Sequence, residues 1–108
     1  MTTGILISYK VNRLPQPERC RIYRKLYGWK DKSQHSKYTY NRKGILSNLP
    51  YIPVNRSVLI VKKEDADRVI SFLNENDAEV FVRNIILNNL DIKELSKPAK
   101  QVSQKEHN

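Results

Sequence analysis

Apolar and polar residues along this 108-residue chain follow two different periods, and the switches between them mark out its elements. Positions 4–11, GILISYKV, predict a first strand in which Ile5, Ile7, Tyr9 and Val11 share a face. Pro15 and Pro17 bracket a turn, and Pro17 followed by Glu18 suits the start of a helix. Across 17–27 the spacing then puts Ile22, Tyr23, Leu26 and Tyr27 on one side and Arg21, Arg24 and Lys25 on the other, with Gly28 as the stop. The polar stretch 29–36, WKDKSQHS, reads as a loop. The alternation in 37–43, KYTYNRK, predicts a second strand with Tyr38, Tyr40 and Arg42 on one face, ended by Gly44.

Pro50 and Pro53 make 45–54 read as extended loop rather than sheet strand. The run 56–63, RSVLIVKK, is the strongest strand signal. Glu64 or Asp65 then caps a second helix, in which Ala66, Val69, Ile70 and Leu73 recur at helical spacing. Residues 74–77 end that helix, and 78–87, AEVFVRNIIL, predict a last strand. Residues 90–95 fit a short strand or a helical turn, and the polar segment 96–108 reads as a flexible tail. The resulting order β-α-β-β-α-β predicts an α+β, ferredoxin-like domain over 1–95: a four-stranded antiparallel sheet with two helices on one face. The last strand is apolar on both faces, since Phe81, Ile85 and Leu87 oppose Val80, Val82 and Ile86. The second face is therefore expected to be covered in part, by the tail segment or by a second subunit.

Charge changes this picture from architecture to partners. The chain carries 20 Lys and Arg against 11 Asp and Glu, a net +9. Residues 1–60 hold 12 cations and two acids, Glu18 and Asp31, whereas residues 61–108 sum to −1. So polarised a half-chain creates a persistent positive potential, for which phosphate backbones are the commonest ligands. All six tyrosines and Trp29 lie in the same half. Aromatic faces among Lys and Arg suit stacked bases flanked by phosphates. The periodicity of Tyr9, Tyr23 and Tyr27 assigns them to the core or its rim, while Trp29, Tyr38 and Tyr40 stand among polar neighbours and are candidates for ligand contact. A solvated cationic surface that only aids solubility is the alternative reading.

Catalytic chemistry finds few parts here. The two histidines, His35 and His107, fall in the loop and the tail. Cys20, the single cysteine, excludes an internal disulfide and a multi-cysteine zinc site, and reads as a buried helix residue with no histidine placed to activate it. No Gly-rich phosphate loop occurs, and no cofactor or metal is expected. The apolar runs Ile5–Ile7 and Val58–Val61 fall far short of the roughly 20 residues of a membrane span. With no signal-peptide pattern in residues 1–10, a cytoplasmic location without membrane contact is expected.

A first strand ending in Tyr9, an Arg-rich first helix closing on Tyr27-Gly28 and a segment after the fourth strand resemble the small ferredoxin-like subunit of the CRISPR adaptation complex and its virulence-associated protein D relatives. The likeness spans about residues 4–95 and implies the same fold and a dimer. In that family an aspartate, implicated in metal-dependent nuclease activity, follows the strand-one tyrosine; here that residue is Lys10. The chain also lacks the glycine and aromatics that RNA-recognition motifs carry on their central strands, since RSVLIVKK has neither.

Together these features predict a non-catalytic nucleic-acid-binding protein, RNA or DNA, acting as a homodimer or as a subunit of a larger complex such as a ribonucleoprotein. The candidate contact residues are Lys10, Arg13, Arg19, Arg21, Arg24, Lys25, Trp29, Lys30, Lys32, Lys37, Tyr38, Tyr40, Arg42 and Lys43. The alternatives are a metal-dependent nuclease using Asp31, Asp65 or Asp67, and a protein-interaction subunit with an acidic partner.

Overall fold

Sequence periodicity is resolved into ten elements in a computed structural model that describes residues 1–32 and 39–97. The main sheet is four-stranded and antiparallel, built from β1 (Thr3–Lys10), β4 (Tyr51–Asn55), β5 (Val58–Val61) and β6 (Glu79–Ile86) in the order β4-β5-β1-β6. A separate two-stranded ribbon joins β2 (Trp29–Lys32) to β3 (Thr39–Arg42). Helices α1 (Gln16–Tyr27) and α2 (Lys63–Glu75) form where their periodicity places them, but α2 starts ahead of the expected Glu64 or Asp65 cap: Lys62 is its N-cap, with no side-chain bond, and the two acids lie in its first turn. The fold is α+β with three helices, since residues Asn89–Leu95 form a third, α3.

One cluster fills the space between the sheet and the first two helices. The inward side chains of β1, Ile5, Ile7 and Tyr9, meet Leu59 and Val61 of β5, Ile22 and Leu26 of α1, and Ala66, Val69 and Leu73 of α2. A 3-10 turn over Ile45–Asn48 packs against both helices, and its neighbourhood supplies the fully buried Leu46 and Leu49. These residues were expected in an extended loop, so the core draws on a segment whose apolar spacing is irregular.

The expected second strand is corrected by the structure. Of the segment 37–43, Thr39–Arg42 do not enter the main sheet but pair with Trp29–Lys32, within the stretch read as loop; Lys37 and Tyr38 lie outside the described residues. Their place beside β5 is taken by Tyr51–Asn55, despite Pro53. The reason is positional. As the sheet's edge strand, β4 leaves one side unpaired, and its register shifts between Pro53 and Asn55, which are the settings where a strand tolerates proline. The order is thus β-α, an inserted ribbon, then β-β-α-β-α, rather than an uninterrupted β-α-β-β-α-β.

The second face of the sheet is covered at one end by the chain itself. Leu95 of α3 is buried with Ile60 and Leu87, and Leu6, Ile52, Ile85 and Ile92 pack around them. Asn88 caps α3 through its side-chain oxygen, which accepts from the Asp91 amide at 2.8 Å, and the Asp91 carboxylate accepts in return from the Asn88 amide at 3.3 Å. Farther along the strand, Phe81 stays about half exposed. Residues 33–38 and 98–108, which include His35 and most of the predicted tail, lie outside the described residues.

Candidate nucleic-acid interface

Helix α1 sorts its side chains by spacing. Ile22 and Leu26 point into the core, while Arg21, Arg24 and Lys25 are exposed. Its last turn ends at Gly28, whose φ of 86° lies in the left-handed region and whose amide donates to the Arg24 carbonyl at 2.7 Å. A Cβ at Gly28 would collide with the Arg42 carbonyl oxygen, and one at Gly44 would sit 2.5 Å from the Gly28 nitrogen and the Leu26 carbonyl. These two glycines let the base of the ribbon lie directly on the end of α1.

That contact brings the predicted residues together. Trp29 opens β2, lies across from Arg42 in the ribbon register, and remains more than a third exposed. The Arg24 guanidinium stands 5.7 Å from the Trp29 ring centroid, a cation–π distance that holds the indole at the α1–ribbon junction. Lys30 and Arg42 are exposed on the ribbon, and Lys43 is exposed just after it. Lys32 and Tyr40 are placed by backbone register, opposite Thr39 and Asp31 respectively. Lys37 and Tyr38 lie outside the described residues.

Three predicted contact residues sit elsewhere. Arg13 is exposed but forms a 2.9 Å ion pair with Glu79, which neutralises much of its charge. Lys10 and Arg19 line a cleft of about 830 Å³ where β1 ends, between α1 and the β4–β5 turn. Arg56, in that turn, joins them and was not among the predicted contact residues. Reading 45–54 as loop hid the hairpin that presents it.

Cys20 also borders this cleft and is exposed, which corrects its assignment to the buried side of α1. Gln16, Arg19, Cys20 and Tyr23 follow the i, i+3, i+4, i+7 pattern of one helical stripe, and that stripe faces the cleft rather than the core. Tyr9, Tyr23 and Tyr27 occupy the core and its rim as expected. The Tyr9 and Tyr27 hydroxyls lie 3.0 Å apart, and Tyr23 tilts against Tyr9 with centroids 6.3 Å apart. Burial first, and then the Tyr27 hydroxyl, push the Tyr9 phenol far above its ordinary ionisation range; burial also raises Tyr27 and Tyr51. These phenols stay neutral across the physiological range.

Among the described residues, no three His, Cys, Asp or Glu side chains gather as a metal centre requires. Asp65 and Asp67 lie in the first turns of α2, where acids complement the helix N-terminus. No helix of the described residues is long and apolar enough to cross a membrane. Comparison with protein-family models, with curated proteins and with solved structures finds no match to this chain.

Proposed function

We propose that this chain is a ferredoxin-like nucleic-acid-binding domain, with the β2–β3 ribbon inserted after α1, that grips phosphate backbones without cleaving them. One observation carries the reading: α1 and the ribbon meet where Arg24 stands over the exposed Trp29 indole and Arg42 lies across from it, while Arg21 and Lys25 on α1 and Lys43 just after the ribbon are exposed as well. Cations placed about an accessible aromatic suit a strand whose phosphates are neutralised while a base or sugar packs on the ring. Glu18 is the one acid in α1, so little competes with the phosphates there. Where the resembled family has its aspartate, Lys10 is an exposed cation, which supports binding over metal-dependent cleavage.

Affinity measured across a salt series tests this. Six phosphate contacts on duplex DNA give a log–log slope near about −5, at about −0.9 per contact. The Arg21→Ala/Arg24→Ala/Lys25→Ala variant is expected to keep its fold, lose about tenfold or more in affinity, and flatten the slope by about one for each contact removed. Affinity independent of salt, or a triple variant that binds like the parent protein, overturns the reading. Cleavage of RNA or DNA with Mg²⁺ or Mn²⁺ present, lost on Asp31→Asn, establishes the nuclease instead.

A further inference from the structure

The cleft at the end of β1 brings cations and an aromatic ring together. Lys10, Arg19 and Arg56 reach it from three different elements, β1, α1 and the β4–β5 turn, and among the described residues no acidic side chain lines it. Glu79, the residue across the ladder from Lys10, is engaged by Arg13 at 2.9 Å. None of the ion pairs formed among the described residues involves Lys10, Arg19 or Arg56. Half-buried Tyr23 adds an aromatic wall, backed by Tyr9.

The cleft is also held open by backbone structure rather than by a mobile side chain. Ser57 adopts a left-handed φ of 64°, rare for a residue with a side chain, and its carbonyl accepts from the Tyr9 amide at 3.0 Å. That bond ties the turn carrying Arg56 to the end of β1, where Lys10 follows. Asn55 caps the same turn by accepting from the Arg56 amide at 2.8 Å. The backbone that carries Lys10 and Arg56 is therefore fixed before any ligand arrives, which leaves only their side chains to be ordered on binding.

A duplex presents a convex row of phosphates with its bases turned inward, and so gains nothing from an aromatic wall behind a ring of cations. An unpaired nucleotide offers both a phosphate and a free ring face. A volume of about 830 Å³ falls in the range of small-ligand sites, roughly 300–1,000 Å³. We propose that this cleft binds one nucleotide unit of a single strand, its phosphate held by Lys10, Arg19 and Arg56 and its base set against Tyr23. The proposal rests on the nucleic-acid reading above and adds to it a preference for unpaired strands and a role for Arg56.

Two measurements test it separately from that reading. In the first, backbone amide signals of the ¹⁵N-labelled protein are followed while uridine monophosphate is added, with inorganic phosphate in a parallel titration. Saturable shifts at Lys10, Cys20 and Ser57 are expected, with the nucleotide binding about tenfold tighter than phosphate if the ring is read as well as the charge. In the second, single-stranded and duplex 12-mers are bound to the parent protein and to Lys10→Ala/Arg56→Ala. Both side chains are exposed, so the fold is expected to survive, and circular dichroism checks that it does. The double variant should lose about tenfold for the single strand and much less for the duplex. Polymer binding without shifts at the cleft, equal binding of nucleotide and phosphate, or equal losses on both polymers overturns the cleft assignment and leaves the wider reading standing. Nucleotide binding at the cleft with no polymer binding supports the cleft and removes the wider reading.

Discussion

Helices α1 and α2 lie over the same sheet and bury side chains in the same cluster, yet they present opposite surfaces. Between Gln16 and Tyr27 four cations accompany one acid; between Lys63 and Glu75 two cations accompany four acids. Inward, the difference vanishes: Ile22 and Leu26 of α1 are as fully enclosed as Val69 and Leu73 of α2. Burial therefore does not separate the helices, whereas outward charge does. A polyanion is attracted to the α1 side and repelled from the α2 side, so the proposed binding would orient the domain through its own charge pattern. Stability is shared by both helices and the proposed function belongs to one of them.

The sharing of stability carries the largest expected effects. Leu26 and Leu73 are both 0% exposed, one on each helix. Leu26→Ala and Leu73→Ala should each destabilise the protein by roughly 2–5 kcal/mol, the usual range for truncating a buried leucine. Urea unfolding followed by circular dichroism measures both. A loss below about 1 kcal/mol for Leu26→Ala alone would show α1 to be loosely docked, and the comparison would then divide the helices by packing as well as by charge.

Helix ends give a smaller and oppositely signed pair. Gly28 ends α1 at φ 86° with the Arg42 carbonyl against it, whereas Asp77, just after α2, holds φ 64° with a side chain. Gly28→Ala is expected to destabilise by more than about 1 kcal/mol, because the left-handed geometry and the collision add together. It should also weaken nucleic-acid binding, since the displaced atoms belong to the ribbon that carries Trp29 and Arg42. Asp77→Gly relieves a left-handed side chain without touching the basic surface, and is expected to leave stability equal or raised by up to about 1 kcal/mol, with unchanged affinity. If both substitutions alter stability alike, the end of α1 is not the special junction described above.

How these features read in the sequence depended on whether local pattern or long-range competition decided them. Both long helices, β1 and β6 were legible because each turns one face to the same core, and β5 because its unbroken apolar run suits burial on both faces. The outward direction of Arg21, Arg24 and Lys25 followed from that. The partner of 37–43 was not legible. Its alternation correctly marks a strand, but nothing local distinguishes pairing with Trp29–Lys32 from pairing with β5. The choice rests on Gly28 and Gly44 allowing the ribbon to fold onto α1, and on an edge position that accepts Pro53. The same misreading concealed Arg56 and the 3-10 turn with Leu46 and Leu49. Cys20 was placed on the wrong side of α1 because residue type was given more weight than its shared stripe with Gln16, Arg19 and Tyr23.

The mildest effect comes from the tyrosines, which again mark only one side of the core. Tyr23 and Tyr27 of α1 gather with Tyr9 and Tyr51 of the sheet, and the α2 segment contains no tyrosine. Burial raises the Tyr9 phenol above its value in the unfolded chain, and the Tyr27 hydroxyl adds to this. Unfolded phenols ionise at about 10, so below that pH both states hold the proton and the contribution to stability is complete. Above it the unfolded chain releases a proton that the folded chain keeps, and stability falls as pH rises toward the folded value. Thermal unfolding should therefore shift to lower temperature as pH is raised past about 10, and Tyr9→Phe should shift less steeply over that window. Near neutral pH the same substitution removes the 3.0 Å bond to Tyr27 and is expected to lower stability by about 1 kcal/mol. Because loss at neutral pH and protection at alkaline pH have opposite signs, the two melting curves should converge as pH rises; parallel curves would mean that the buried phenol is not what makes the α1 side sensitive to alkali.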